Sequence, residues 1–473
     1  MSEIQVETMR ERLERSFDEL LILLEERKYA PFSSQINEMN PVDIADFFEE
    51  LEAAQIPRVF KLLQKDVSAE VFAELDSDMQ EKVIEALTDR ELSSIIEELY
   101  LDDVTEMAHE LPANLVHRVM KNADTETREQ INRLLSYPED SAGSIMNADF
   151  VSLQMNMTCS SAIEYIRKTG IDKETVYTAY VTDSSRILKG TVSFKDLLFS
   201  PPEMLIRDIM DESVICAHTL DDREVVADTV SKYGVLALPI VDGENRLVGM
   251  VTVDDAMDVM IEETTEDIEI MAAITPGDKP YMKTGVFETW KKRIPWLMIL
   301  MISAVFTGAI ITHYENAIGT YAILTAFFPM LMDTGGNAGS QTSVTVIRGL
   351  SLDEIEPRDV FRVLWKEFRV SLLCGICLGA VCFLKTMAID FGFRATTVLE
   401  NGAVQDNILV AFIVSITVVT AVVVAKFIGT VFPIAAKKIG LDPAVMASPF
   451  ITTIVDTITL IVYFSIASRL LGI

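Results

Sequence analysis

Five apolar runs, at about 294–312, 319–347, 370–389, 407–435 and 443–467, dominate the C-terminal part of the chain. Each is long enough to cross a hydrocarbon core of ~30 Å. Inside such a core every backbone amide and carbonyl has to be satisfied by the protein, so the expectation is five membrane helices. Basic residues mark one side. Lys291, Lys292 and Arg293 precede the first run. Arg348, Arg358, Arg362, Lys366 and Arg369 lie between the second and third, and Lys437 and Lys438 between the fourth and fifth. Residues 313–318 carry no Lys or Arg, and 390–406 only Arg394. The positive-inside rule then puts the N-terminus in the cytosol and the C-terminus outside.

Charge divides the chain at the same place. Of its 72 acids and 40 bases, 13 and 14 fall in residues 284–473, which leaves 59 and 26 for residues 1–283. An acidic, water-soluble head of net charge −33 is therefore joined to a nearly neutral membrane body of +1. Such acidity disfavours nucleic acid and favours cations, although acidic composition is also what a solvated surface looks like. Residues 1–30 carry Glu and Arg throughout and lack the apolar stretch of a secretory signal, so the head is expected to stay in the cytosol. Cys374 and Cys377 form a CxxC inside SLLCGICLGAVCFL with no second pair to complete a zinc site, and they read as packing residues. In the same run Gly375 and Gly379 have the spacing of a helix contact. His109, His117, His218 and His313 are scattered and form no HExxH.

Residues 1–135 carry helical spacing throughout, as in Leu13, Phe17, Leu20, Leu21 and Leu24. Leu75, Leu87, Leu99 and Leu111 recur every twelve residues, each closing a short block that Ser, Asp or Thr can cap. Short helices stacked into a superhelix are expected, with the acid pairs Asp102–Asp103 and Glu97–Glu98 on the outer face. YPEDSAGSIM (137–146) breaks the pattern. Two alike modules follow, VYTAYVTDSSRILKGTVSFKDLL (176–198) and VLALPIVDGENRLVGMVTVDDAM (235–257). Each predicts strand, polar turn, strand, then a helix capped by Ser193 or Thr252 with Asp196 or Asp255 three residues on. The tandem resembles a pair of CBS domains. The following stretch sets Asp255, Asp258, Glu262 and Glu266 on one helix face, where like charges repel unless a counter-ion or water screens them.

Two aspartates interrupt the apolar runs. Asp333 opens DTGGNAGSQ, and Asp456 sits in ASPFITTIVDTITLIVYFSIA. A carboxylate at membrane depth costs several kcal/mol unless it faces a cavity, a partner or an ion path, so function is the first reading for both. Hard divalent cations take oxygen ligands, and Mg²⁺ keeps much of its water, so one or two carboxylates with neutral oxygens suit it. Asp456, Asp333, Asn337, Ser340 and Ser448 offer such oxygens, and Gly335–Gly336 would let carbonyls approach a pore. Pro329 and Pro449 with these glycines suggest helices broken around a cavity. The other readings are that Asp333 caps a turn at Gly335 or Gly336, and that Asp456 bonds Thr452 or Ser448. No thiolate or imidazole stands nearby, which argues against a soft-metal carrier.

This order of parts resembles the MgtE family of magnesium channels over essentially the whole chain, and DTGGNAGSQ with TTIVDT carries the resemblance most specifically. The implied fold is a multidomain membrane protein. It has an all-α superhelical domain (1–136), α/β tandem CBS domains (137–203 and 204–262), a connecting plug helix (263–289) and a five-helix pore domain (290–473). The resemblance further implies a homodimer in the cell (inner) membrane, multi-pass, with the pore on the two-fold axis and the cytosolic head as sensor. High cytosolic Mg²⁺ would fill sites between head and plug and shut the pore. Carried over, Asp456 is the pore carboxylate, with Asp333, Gly336, Asn337, Ser340 and Ser448 along the path. Ser340 and Ser448 stand where the pattern has asparagine, and Asp333 where it can have glycine. The implied sensor acids are Glu70, Asp102, Glu106, Glu224, Asp255, Asp258, Glu263, Glu266 and Asp267. Gly234 replaces an aspartate of the pattern. ATP is an implied regulatory ligand, with Asp196 at its ribose. A less selective Co²⁺, Ni²⁺ or Mn²⁺ transporter and a proton-coupled exchanger are the alternatives. A CBS-regulated membrane enzyme lacks a nucleophile–base pair, so no enzymatic activity is expected.

Overall fold

Short helices punctuated by caps make up the beginning of the chain. The structure, a computed structural model, describes residues 9–277, 281–282, 284–314, 322–398, 404–446 and 448–471. It divides into two units, Met1–Ile261 and Glu262–Ile473, which are described in turn. The first begins with α1 (Met9–Glu25), α2 (Tyr29–Ile36), α3 (Pro41–Glu49), α4 (Ile56–Phe60) and α5 (Lys65–Glu74). It continues with α6 (Ser77–Ala86), α7 (Asp89–Ile96), α8 (Leu101–Glu110), α9 (Ala113–Asn122) and α10 (Thr125–Leu134). Asp76 caps α6, and Thr88 with Glu91 forms a full capping box on α7, so the twelve-residue blocks start as their sequence suggests. Helices α5 and α8 follow Gln64 and Tyr100 and have no side-chain cap. Packing runs α3 on α5, α4 on α6, α5 on α7, α7 on α9 and α8 on α10, the pattern of a stacked helical repeat. Leu75, Leu87 and Leu111 are buried along it, with Leu99 packed at its edge.

The two modules that follow have one design. β1 (Val151–Gln154) pairs parallel with β2 (Thr178–Thr182), which pairs antiparallel with β3 (Leu188–Ser193). β4 (Ala217–His218), β5 (Ala237–Val241) and β6 (Leu247–Thr252) repeat this order, and the irregularity in β2–β3 at Val181/Thr182 recurs in β5–β6 at Ile240/Val241. The polar turns are alike as well. Asp183 accepts from the Ser185 and Ile187 amides, and Asp242 from those of Glu244 and Arg246. The copies join through these turns: the Leu188 amide donates to Asn245 O (3.1 Å) and the Leu247 amide to Arg186 O (2.9 Å). Helices α11 (Cys159–Thr169) and α13 (Arg223–Tyr233) precede the hairpins. After β3, α12 (Phe194–Phe199) stops at Ser200 before Pro201–Pro202, whereas α14 (Val253–Met271) after β6 runs on for 19 residues. The connecting segment 263–289 is consequently not one helix. Its first part continues α14, the next described residues are non-helical, and a new helix starts at Val286.

The second unit contains α15 (Val286–His313), α16 (Phe328–Ser351), α17 (Val360–Lys385), α18 (Asn407–Lys438) and α19 (Ser448–Leu471). A small hairpin of β7 (Thr396–Val398) and β8 (Val404–Asp406) precedes α18, the most buried of the five. All but α16 are long and apolar enough to cross a membrane; α16 is the most polar, because its middle is DTGGNAGSQTS. It nevertheless runs unbroken from Phe328 to Ser351, so the expected breaks at Gly335–Gly336 are absent. Those glycines serve contact instead. A Cβ on Gly335 would touch Val455 and Thr459, and one on Gly336 would press on Thr452, so α16 and α19 pack at backbone distance. Gly375 and Gly379 do the same for α17 against Val419 of α18.

Candidate functional site

In the membrane unit, helix packing brings the two aspartates together. α16 and α19 lie side by side through Gly335, Gly336 and Gly339, which face Thr459, Val455, Thr452 and Ile451. Asp333 and Asp456, one on each helix, are thereby electrostatic neighbours. Asp456 is partly buried, and its Oδ1 is buried without a hydrogen-bond donor among the described residues. A bond from Thr452 or a neighbour therefore does not account for that oxygen. Asp333 and Asn337 are exposed on α16, and Ser340 lies 3.4 Å from Thr452 through their hydroxyls. Asp333 sits inside the helix rather than capping a turn. Gly336 is buried, and the side chain of Ser448 falls outside the described residues. The chemistry offered is two carboxylates with amide and hydroxyl oxygens, which fits a hard cation retaining part of its water.

In the first unit the acids converge where sequence periodicity gave no hint. Asp102 and Asp103 on α8 were expected outside; both are partly buried. Asn147 Nδ2 donates to Asp102 Oδ2 (2.9 Å) and to Glu174 Oε2 (3.2 Å), which ties α8 to the first module. Asp255 at the start of α14 joins them, accepting from the Thr252 hydroxyl, and Glu106 is within reach of Asp103. Burial first, and then the neighbouring carboxylates, push these groups upward: Asp103 to about 7, Glu174 to about 8, and Asp102 well above the ordinary carboxylate range. Asp255 is raised by burial, although the Thr252 hydroxyl opposes the shift. Such a crowd of carboxyl groups with raised proton affinity is an arrangement that a cation would relieve. Among the described residues no three of these groups stand close enough to hold a metal ion as they are.

The remaining sensor candidates are dispersed. Glu70 is exposed on α5 and acts on Tyr100 beside the cluster. Asp258 on α14 is raised by burial and by Asp254. Glu74, a residue the sequence reading passed over, is raised by burial and then by Asp258. Glu224 is exposed in the first turn of α13, remote in sequence from the cluster acids. At the other end of α13, Gly234 has φ +62°, a left-handed cap that a glycine adopts without strain. In the second unit Glu263 and Glu266 are partly buried. Asp267 is pushed up to about 6 by burial, Asp442 and Glu263. Asp196 is exposed, its carboxylate taken by the Ser193 hydroxyl. The acids that reading missed, Asp103, Glu174, Glu74 and Asp442, lie at turns and helix ends, where no periodicity marks them.

Comparison with known proteins finds relatives over nearly the whole chain. Residues 328–466 match the family model described as divalent cation transporter, residues 39–140 the MgtE intracellular N domain, and residues 142–202 and 206–262 the CBS domain. The magnesium transporter MgtE of Bacillus subtilis is 31% identical over 457 residues, 96% of this chain and 98% of its own. That of Thermus thermophilus is 33% identical over 467 residues, 98% of this chain and 99% of its own. A crystal structure of the soluble part of a magnesium transporter superposes with a TM-score of 0.50 at 28% identity, over 53% of this chain and 99% of that one. With these relatives alike over nearly their full length, the chain belongs to the MgtE family of magnesium transporters.

Proposed function

We propose that this chain is a Mg²⁺-selective channel that admits Mg²⁺ to the cytosol and is shut by cytosolic Mg²⁺ binding to its acidic head. The observation that carries the conducting part is Asp456: a buried carboxylate oxygen without a donor among the described residues, on a helix packed at glycine distance against α16, with Asp333 beside it. A carboxylate held at membrane depth without a protein partner is suited to a passing cation. The path is formed by two copies of the chain about a two-fold axis, with the head cytosolic and the C-terminus outside. Gating follows from linkage. Mg²⁺ that binds only the packed head, at acids including Asp102, Glu106 and Asp255, relieves their repulsion and favours closure. Moving a 1:99 equilibrium to 99:1 takes ~5.5 kcal/mol, which several weak sites together supply. ATP acts as a regulatory ligand of the CBS pair, with Asp196 as the ribose contact.

The test is to compare the intact chain with one lacking residues 1–262. The truncated chain is expected to conduct at Mg²⁺ concentrations that shut the intact one. Inhibition that survives the truncation would put the sensor in the membrane unit. One second reading is proton-coupled exchange, since a carboxylate at membrane depth is also a common proton carrier. An imposed pH gradient that drives Mg²⁺ uptake would select it.

A further inference from the structure

The longest membrane helix holds a lysine in its apolar interior. Lys426 of α18 stands between Ala425 and Phe427 with its side chain 8% exposed, and its Nζ lies 3.2 Å from Oε2 of Glu367 on α17. The same Nζ donates to Thr342 Oγ1 of α16 at 3.0 Å, and the Thr342 hydroxyl donates to that Glu367 oxygen at 3.2 Å. Three helices thus meet in one closed triangle of polar atoms. A buried ion pair adds little net stability over apolar residues of the same shape, because desolvating both charges offsets their attraction. Its presence here calls for a positional reason.

The neighbouring contact supplies one. One turn from Lys426, a Cβ on Gly429 would collide with the carbonyl oxygen of Gly339, so α16 and α18 meet backbone to backbone. Two glycines let the backbones approach but supply no side-chain bond to hold that face in register. Thr342 is nine residues from Asp333, roughly half a turn round the helix at 3.6 residues per turn. Asn337 and Ser340 share the Asp333 side. The triangle therefore grips α16 from behind the face that carries its polar oxygens.

We propose that Lys426, Glu367 and Thr342 are positioning residues that lock the rotation of α16 and so keep Asp333, Asn337 and Ser340 presented beside α19. This rests on the reading of that face as the ion path. The direct test reads geometry. In the full-length protein reconstituted in vesicles, with its five native cysteines replaced by alanine, S340C and T452C are introduced where the two hydroxyls stand 3.4 Å apart. Cross-linking is expected to be rapid. Adding T342V is expected to slow it about tenfold, the scale of a hydrogen bond to a charged group, and K426M to slow it more. The exchange K426E/E367K is expected to restore most of the rate. Without the introduced pair, T342V is expected to raise half-saturating Mg²⁺ by a similar factor and to change maximal flux less. Unchanged cross-linking and unchanged half-saturation in inserted T342V and K426M proteins overturn the proposal. If cross-linking responds while D456N conducts normally, the brace stands and the ion-path reading falls.

Discussion

The two units solve one problem, enclosing charge, in opposite ways. In the head, Asp102, Asp103, Glu174 and Asp255 crowd together with one asparagine to bridge them, and the surplus is carried as raised proton affinity. In the membrane unit Lys426 is closed off by Glu367 and Thr342, while one Asp456 oxygen has no donor among the described residues. Packing differs in the same sense. Helices α2 to α10 of the head are 5 to 10 residues long and rest chiefly on buried apolar side chains, with side-chain caps at α3, α6 and α7. The helices α16 to α19 are 24 to 32 residues long and meet through glycine contacts, since lipid offers no hydrophobic drive to bring them together. Water forgives surplus charge because it can re-enter; a bilayer does not, so an unpaired carboxylate there is a sign of use.

That contrast can be broken most sharply at Asp456. D456N is expected to cut Mg²⁺ uptake by about a hundredfold, the scale of a lost charged ligand, with insertion and melting temperature preserved. Normal uptake in vesicles loaded with a Mg²⁺-sensitive dye would make Asp456 merely another enclosed acid. Next in size, Gly429→Leu forces a side chain into the α16–α18 contact and is expected to destabilise the detergent-purified protein by about 3 kcal/mol. An unshifted melting temperature would show that glycine contact is not what holds the membrane helices.

The head makes a pH prediction of smaller size. Carboxyl groups that keep protons when packed, Asp103 to about 7 and Glu174 to about 8, but ionise near 4 to 4.5 when opened, weaken the packing as pH rises through that window. Limited proteolysis of the full chain should therefore accelerate from about pH 5 to pH 8, and Mg²⁺ should protect most at the alkaline end. E174Q should flatten the pH dependence by about 1 kcal/mol after allowance for screening; a profile unaffected by E174Q would dissolve the cluster as a unit. Smallest is T88A, expected to cost about 1 kcal/mol through the lost capping box on α7. A null result in urea unfolding would mean that caps matter no more in the head than in the membrane.

Much of the fold was legible because its signals are periodic. The twelve-residue leucine spacing, the alternating hairpins and the apolar runs each impose one structure over many residues. The site was legible only where a residue type contradicted its surroundings, as Asp333 and Asp456 do. Lys426 carries the same contradiction inside the fourth run, where a lone cation among apolar residues marks a buried partner. Glu174 and Asp103 gave no such signal, since an acid in an acidic head is unremarked until tertiary structure encloses it. The glycines misled in one respect: DTGGNAGSQ suggested a broken helix, and the structure spends those glycines on helix contact instead.

The paired modules end on an inequality. Their strand order, bulges and turns agree, and their turns exchange reciprocal hydrogen bonds, yet α12 halts before two prolines while α14 continues for 19 residues. A duplicated part with a single outlet behaves as a junction rather than a relay. Only the second copy leads out into a long helix, while the first meets α8 directly through Asn147.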